Sequence, residues 1–113
     1  MGESEFLAQA EATLTAIASK LDDLNDDDMI DVECSRSGNV LEIEFIDNGS
    51  KVIVNSQAAM QELWVAARSG GFHYRQKDGQ WLNTRDGSEL FAALSGIVTA
   101  QGGAPVVLTR RAD

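Results

Sequence analysis

The sequence predicts an α+β protein, a two-layer α-β sandwich with N- and C-terminal helices packed on one face of an antiparallel five- to six-stranded sheet. Apolar residues recur at helical spacing near both ends of the chain. Between these segments apolar and polar residues alternate in short runs, separated by turn signals such as Asn48-Gly49. At 113 residues, of which 43% are hydrophobic, we expect a single domain (residues 1–113) with a modest core.

The first helix is predicted over residues 4–24, with Ser4 as its N-cap. Its apolar positions recur every three or four residues and comprise Leu7, Ala10, Leu14, Ile17, Leu21 and Leu24. Such a stripe indicates packing on a sheet or on another helix. A two-stranded coiled coil is the alternative interpretation.

The strands are predicted from Ile30 onward, where the apolar period changes to two. The alternating runs cover residues 30–35, 41–45, 51–55, 62–67, 72–76 and 80–83. The run at 62–67 also fits a helix, because alanine is frequent there, and Gly70-Gly71 is interpreted as a break after it. Alternation of this kind predicts a sheet with one buried and one exposed face.

The second helix is predicted to begin at Asp86, which stands at capping-box spacing from Glu89. Its apolar stripe comprises Leu90, Phe91, Leu94, Ile97 and Val98. Gly102-Gly103 is a helix stop, and Pro105 prevents continuation of the helix. Residues 104–108 are apolar, so we expect this tail to pack against the protein.

The charge of the chain is concentrated near its N-terminus. The formal net charge is −9; residues 1–33 contain ten acidic residues and one basic residue, whereas residues 34–113 contain eight of each. We call residues 22–33 the acidic segment; its seven carboxylates belong to Asp22, Asp23, Asp26, Asp27, Asp28, Asp31 and Glu33. A one-sided negative field attracts cations and basic surfaces and disfavours nucleic acid and anionic membranes as partners.

Two interpretations of the acidic segment remain open: a solvated face that maintains solubility, or a surface for cations or basic partners. It is not a calcium loop, because Asp28 and Cys34 stand where a loop beginning at Asp23 needs a glycine and a glutamate. It also lacks the ligands of a structural zinc site. A carboxylate row along a helix end and a strand forms no closed cage, so we expect it to bind hard cations weakly, with water retained.

The exposed face of the sheet is predicted to contact a protein partner. If Val52 and Val54 point inward, Asn55 and Gln57 point outward, and Trp64 points outward from the next strand. With the outward Glu42 and Glu44 they form one surface, which we call the partner face: Glu42, Glu44, Asn55, Gln57 and Trp64. The alternative is that Trp64 is covered by a loop or lies on the core side.

No arrangement of residues typical of an enzyme is present. His73 and Cys34 are the single histidine and cysteine, and Cys34 falls on the inward parity expected of a small core residue. Gly70-Gly71 lacks the lysine and the following helix of a phosphate loop. A lone cysteine cannot form an intramolecular disulfide, and neither a membrane span nor a signal peptide is found. We therefore predict a non-enzymatic, cytoplasmic protein.

Several stretches match a known family. They are Ser4-Glu5-Phe6, Leu21-Asp22-Asp23, Ile30-Asp31, Asn48-Gly49-Ser50-Lys51 with Asn55 and Gln57, Glu62-Leu63-Trp64-Val65-Ala66, Gly70-Gly71-Phe72-His73-Tyr74, Trp81, and the segment from Asp86-Gly87 to Leu94. Over nearly its whole length the sequence resembles the frataxin family, and it is most similar to the bacterial branch.

This resemblance implies an iron-binding protein of iron–sulfur cluster assembly, with a regulatory role. It implies weak binding of Fe²⁺ and Fe³⁺ at an acidic ridge, which carries over to Asp22, Asp23, Asp27, Asp31 and Glu33. It also implies docking on the cysteine desulfurase, a cluster scaffold protein as a second partner, and a monomer without iron. The family's partner surface carries over to Asn55, Gln57 and Trp64.

The chain departs from its bacterial relatives at the end of the first helix. Ala18, Ser19 and Lys20 stand where acids are common, and Asn25 stands where an aspartate is common. Charge has moved from the helix to the acidic segment.

The alternative functions are an iron-oxidising or iron-storing protein and a generic acidic interaction module.

Overall fold

Two helices cover one face of a six-stranded antiparallel sheet in the computed structural model, which describes residues 2–109. The elements are α1 (Glu3–Asp26), β1 (Val32–Ser37), β2 (Val40–Phe45), β3 (Lys51–Gln57), β4 (Glu62–Ala67), β5 (Gly70–Lys77), β6 (Gln80–Asn83) and α2 (Leu90–Gly102). The strands pair in chain order, so the sheet is a meander. The predicted α+β sandwich is confirmed. The predicted domain limits, residues 1 and 113, lie outside the described residues.

The register of the sheet places its apolar residues on one face. Leu41 lies opposite Val54, which lies opposite Val65, so that their side chains share the inner face. The helices close this core, and Trp81 of β6 packs edge-on against Phe6 of α1, with ring centroids 5.9 Å apart. The indole nitrogen of Trp81 donates to Thr13 Oγ1 at 2.9 Å, so this buried donor is satisfied.

The buried stripe of α1 differs from the predicted one at its start. Phe6 is buried, whereas Leu7 is 44% exposed, although both lie at helical spacing from the buried Ala10. Ser4 lies inside the helix, and the N-cap is Gly2, which has no side chain to cap it. The stripe packs on the sheet, which excludes the coiled-coil alternative.

The segment 62–67 is a strand, as predicted, but the turn after it was placed wrongly. Arg68 and Ser69 form the turn, and Gly70-Gly71 begin β5. Gly70 has a φ of 141°, a conformation that residues with a Cβ rarely adopt, which explains the glycine without a chain break there.

The second helix begins later than predicted. Glu89 is its N-cap, and its carboxylate accepts hydrogen bonds from the backbone nitrogens of Phe91 and Ala92. Asp86 instead accepts from Ser88 in the preceding turn, so the predicted capping box is wrong. At the other end the predicted stop is confirmed, since Gly103 adopts the left-handed conformation.

The tail after α2 packs back along that helix, as predicted. The backbone nitrogens of Val106 and Leu108 donate to the hydroxyls of Thr99 and Ser95, at 3.1 and 2.7 Å. Four residues of helix rise about 6 Å and two residues of extended chain span about 6.6 Å, so the two repeats match. Val106 and Leu108 are accordingly buried.

Candidate functional site

The acidic segment runs from the end of α1 into the first strand, and all seven of its carboxylate residues are exposed. They are Asp22, Asp23 and Asp26 in α1, Asp27 at its C-cap, Asp28 and Asp31 in the loop, and Glu33 in β1. The segment thus spans three kinds of structure, which distributes its charge along an edge of the molecule.

The end of α1 is closed by backbone hydrogen bonds. The nitrogen of Asp28 donates to the carbonyl of Asn25, and that of Met29 donates to the carbonyl of Leu24. This pattern needs a left-handed residue, and Asp28 supplies it with a φ of 59°. The Asn25 side chain accepts from the backbone nitrogen of Val32 at 3.1 Å, so it fastens the loop to β1.

The acidic segment forms an open row. Among residues 2–109, no group of three or more His, Cys, Asp or Glu side chains lies close enough together to hold a metal ion. Separate carboxylates each contribute one or two oxygens, and water must supply the remaining ligands of a cation.

The row continues onto the outer face of the sheet. Glu33 lies directly opposite Glu44 of β2, and like charges in this position are destabilising. Lys51 lies opposite Glu44, but its ammonium is 3.4 Å from the carboxylate of Glu42. The acidic surface therefore extends across β1 and β2, with one lysine at its border.

The rest of the partner face lies on β3 and β4. Asn55, Trp64 and His73 are successive partners across three strands, so they form one row on the outer face. The indole of Trp64 stacks on the His73 imidazole, with ring centroids 4.3 Å apart and planes within 6°. Asn55, Gln57 and Trp64 are each half-buried, and Trp64 faces away from the core, as predicted.

Glu62 lies on this outer face but is buried. Its Oε1 accepts from the Trp64 indole nitrogen at 2.8 Å and lies 3.4 Å from His73 Nδ1, and its Oε2 accepts from Arg75 Nε at 2.8 Å. Burial acts to raise the pKa of this carboxyl, but the hydrogen bonds from Trp64 and Arg75 and the Arg75 charge outweigh it. The pKa of Glu62 therefore lies below its ordinary value.

Sequence reasoning missed Glu62, His73 and Arg75 as members of this surface. The pairing of β4 with β5 brings them together, and that pairing depends on where the turn lies. A turn centred on Gly70-Gly71 would place Trp64 opposite Lys77 instead of His73. Correct placement of the turn at Arg68 and Ser69 is the signal that identifies the cluster.

Cys34 points inward, as its parity predicts, and packs against the core. Burial, and then the nearby charge of Asp22, raises the pKa of its thiol to about 11. It is therefore unsuited to act as a nucleophile.

Within residues 2–109, no helix is long and apolar enough to cross a membrane.

Comparison with known proteins gives a consistent result. The model of the frataxin-like domain family matches residues 1–104. The protein named iron-sulfur cluster assembly protein CyaY of Janthinobacterium sp. (strain Marseille) is 72% identical over 108 residues, which are 96% of each chain. A frataxin from Psychromonas ingrahamii has a TM-score of 0.80 at 29% identity, over 97% of this chain and 100% of that chain.

A more distant structure shares the fold. Trimeric frataxin from the yeast Saccharomyces cerevisiae, complexed with ferrous iron, has a TM-score of 0.71 at 23% identity. The alignment covers 84% of this chain and 86% of that chain.

Proposed function

Because this chain belongs to the frataxin-like family, we propose that it is an iron-binding accessory protein of iron–sulfur cluster assembly that acts in the cytoplasm and regulates assembly without being an enzyme. In this proposal it docks on the cysteine desulfurase through the acidic segment. The name of the bacterial relative and the ferrous complex of the yeast frataxin support cluster assembly and iron as its setting.

The observation that carries the docking proposal is the position of the seven carboxylates of the acidic segment. All are exposed along one edge, and the surface continues through Glu33 and Glu44 onto the sheet. A continuous exposed row of one sign steers a basic surface toward it and accelerates encounter. A buried cluster of the same charge would offer no such contact.

Iron is cargo in this proposal. Carboxylates are suitable ligands for hard cations, and an open row leaves most of the coordination shell to water. We therefore propose weak binding of Fe²⁺ and Fe³⁺ along the acidic segment. The iron-oxidising and iron-storing alternatives need convergent carboxylates, which the described part of the chain does not assemble.

The partner face completes the proposal. Glu42 and Glu44 continue the acidic surface, and Asn55, Gln57 and Trp64 add amides and an aromatic ring. An aromatic anchor beside polar groups is typical of a protein contact. We propose that this face contacts the desulfurase or the cluster scaffold protein bound to it, with this chain acting as a monomer in the absence of iron.

Neutralising the centre of the acidic segment tests the proposal. The triple variant Asp26→Asn, Asp27→Asn, Asp28→Asn is expected to weaken desulfurase binding at low salt by about tenfold, since three exposed charge contacts are lost. Affinity is measured by isothermal titration calorimetry. A ¹⁵N chemical-shift titration with Fe²⁺ is expected to show its largest shifts in the acidic segment.

The matched control removes the same charge from α1, outside the acidic segment. The triple variant Glu3→Gln, Glu5→Gln, Glu11→Gln has the same net charge but leaves the acidic segment intact. We expect its affinity to change much less. Equal affinities of the two triple variants, or an aspartate variant that binds like the unmodified protein, would contradict docking through the acidic segment.

A further inference from the structure

The burial of Glu62 is unusual for a charged residue on the outer face of the sheet. Its backbone pairing places it on the outer face of the sheet, where glutamates are normally solvated, yet its side chain is only 6% exposed. A buried carboxylate destabilises a protein unless its oxygens are paired and hydrogen-bonded. The groups that cover Glu62 must therefore be arranged around it.

Both oxygens of Glu62 are engaged by neighbours on two strands. Oε1 accepts a hydrogen bond from the Trp64 indole N–H and faces His73 Nδ1, and Oε2 accepts a hydrogen bond from Arg75 Nε. Trp64 and His73 are themselves stacked in parallel. One buried carboxylate thus contacts three exposed or half-buried side chains, and two of them form the stack at the centre of the outer face.

We propose that Glu62 is a positioning residue of the partner face, which holds the Trp64–His73 stack so that Trp64 presents its ring and not its N–H to a partner. This inference rests on the proposed function, because it assumes that the partner face makes contact. It adds a residue to that face which acts through Trp64.

The chemistry of the Trp64 indole determines which groups of a partner can bind it. Tryptophan has a single hydrogen-bond donor, and in this structure Glu62 accepts from it. The ring surface that His73 leaves open remains for an apolar or cationic side chain. Asn55, next in the same row, supplies an amide for a peptide group. The partner that fits presents an apolar or cationic side chain flanked by peptide groups.

Fixing the stack before binding is expected to increase affinity. An anchor that is already ordered loses less side-chain entropy when the partner binds. Substitution of Glu62 leaves the Trp64 side chain itself unchanged, but we expect the ring to adopt other rotamers. The effect of removing Glu62 should therefore depend on the presence of Trp64.

A double-mutant cycle with Glu62→Val and Trp64→Ala tests this dependence. The partner is the purified cysteine desulfurase, alone and with the scaffold protein. Glu62→Val is expected to lower affinity by about fivefold or more when Trp64 is present, and to have no further effect after Trp64→Ala. Glu62→Gln keeps an acceptor for the indole N–H, so we expect it to stay within about twofold.

The control is Glu11→Ala, which breaks the ion pair with Arg36 and changes the net charge equally. We expect unchanged affinity. A loss by the same factor in both Trp64 backgrounds would overturn the positioning role, because Glu62 would then act through Arg75 or by itself. The positioning role would also be overturned if Trp64→Ala weakens binding but Glu62→Val binds with normal affinity. If Trp64→Ala has no effect, the partner face itself fails.

A second test uses the unmodified protein, so its result does not depend on whether a variant folds. Proton exchange of the Trp64 indole with water is measured by ¹⁵N NMR. A hydrogen bond to a buried carboxylate is expected to slow exchange by about tenfold relative to an exposed indole. Exchange at the rate of an exposed indole would overturn the proposal, even if desulfurase binding is found.

Discussion

The properties of the Cys34 thiol are changed by the residues around it. It lies on the inner side of β1, and Asp22 of α1 acts on it through space. The charge of the acidic segment therefore reaches a side chain that is not itself part of that surface.

The thiol chemistry of Cys34 provides a test at this scale. Its pKa is raised from 9.0 to about 11, so at pH 8 its thiolate fraction is about a hundredfold lower than that of an ordinary cysteine. We expect iodoacetamide to modify the folded protein about that much more slowly than the urea-unfolded chain. Similar rates in the two states would contradict the raised pKa.

The same shift predicts a dependence of stability on pH. A thiol with a raised pKa favours the folded state below its unfolded pKa of 9.0, and this contribution is lost as the pH rises through about 11. Cys34→Ser is expected to lack this loss. The free energy of unfolding of the two proteins, measured by urea denaturation between pH 8 and 11, checks the difference.

The outward position of Trp64 and the inward position of Cys34 could be predicted from sequence, because each follows from alternation along its own strand. The burial of Glu62 could not. A glutamate at an outward position is usually solvated, and the contacts that bury it come from Trp64 within the strand and from His73 and Arg75 on the next. That information lies in the pairing of two strands.

At the scale of elements, the end of α1 combines two unfavourable features. Asp28 holds a left-handed conformation that glycine adopts more easily, and negative charge lies at the C-terminal end of the helix. A residue that lowers stability at a proposed contact surface is consistent with selection for function at that position.

Asp28→Gly is therefore expected to stabilise the protein by about 1 kcal/mol, which raises Tm by about 4 °C for a domain of this size. Thermal unfolding followed by circular dichroism measures the change. The control is Asp27→Gly, which removes the same charge at a residue with a φ of −85°. Equal stabilisation by both variants would show that charge, and not backbone conformation, is responsible.

Elements with a strong local signal were predicted most closely. The strands Glu62–Ala67 and Gln80–Asn83 have the predicted limits, because the alternation of side chains along each strand defines them locally. The N-caps of both helices were predicted wrongly. Ser4 and Asp86 are good capping residues by type, but Gly2 and Glu89 occupy the N-cap positions.

At the scale of the whole molecule, the net charge of −9 is distributed unevenly. This property could be read completely from the sequence, because ten of the acidic residues lie within residues 1–33. The sequence also predicted an open row, because its carboxylates belong to a helix end, a loop and a strand; how closely the described side chains approach one another depends on the arrangement of these three in space.

Uneven charge predicts opposite effects of salt on folding and on docking. Screening weakens repulsion within the acidic segment, so raising NaCl from about 20 to about 300 mM is expected to increase Tm. The same screening is expected to weaken desulfurase binding. The Asp26, Asp27, Asp28 to asparagine variant should respond less in both measurements. A Tm that falls with salt in the unmodified protein would contradict this account.

The order of the strands gives the acidic segment one more consequence. β1 is at the edge of the sheet, so that within residues 2–109 one side of its backbone has no neighbouring strand. Such an edge is a template on which a second copy can add its own strand. Asp31 and Glu33 place negative charge at the start of this edge, and two copies approaching through it repel each other. A cation bound there would remove that repulsion, so iron loading is expected to promote edge-to-edge self-association.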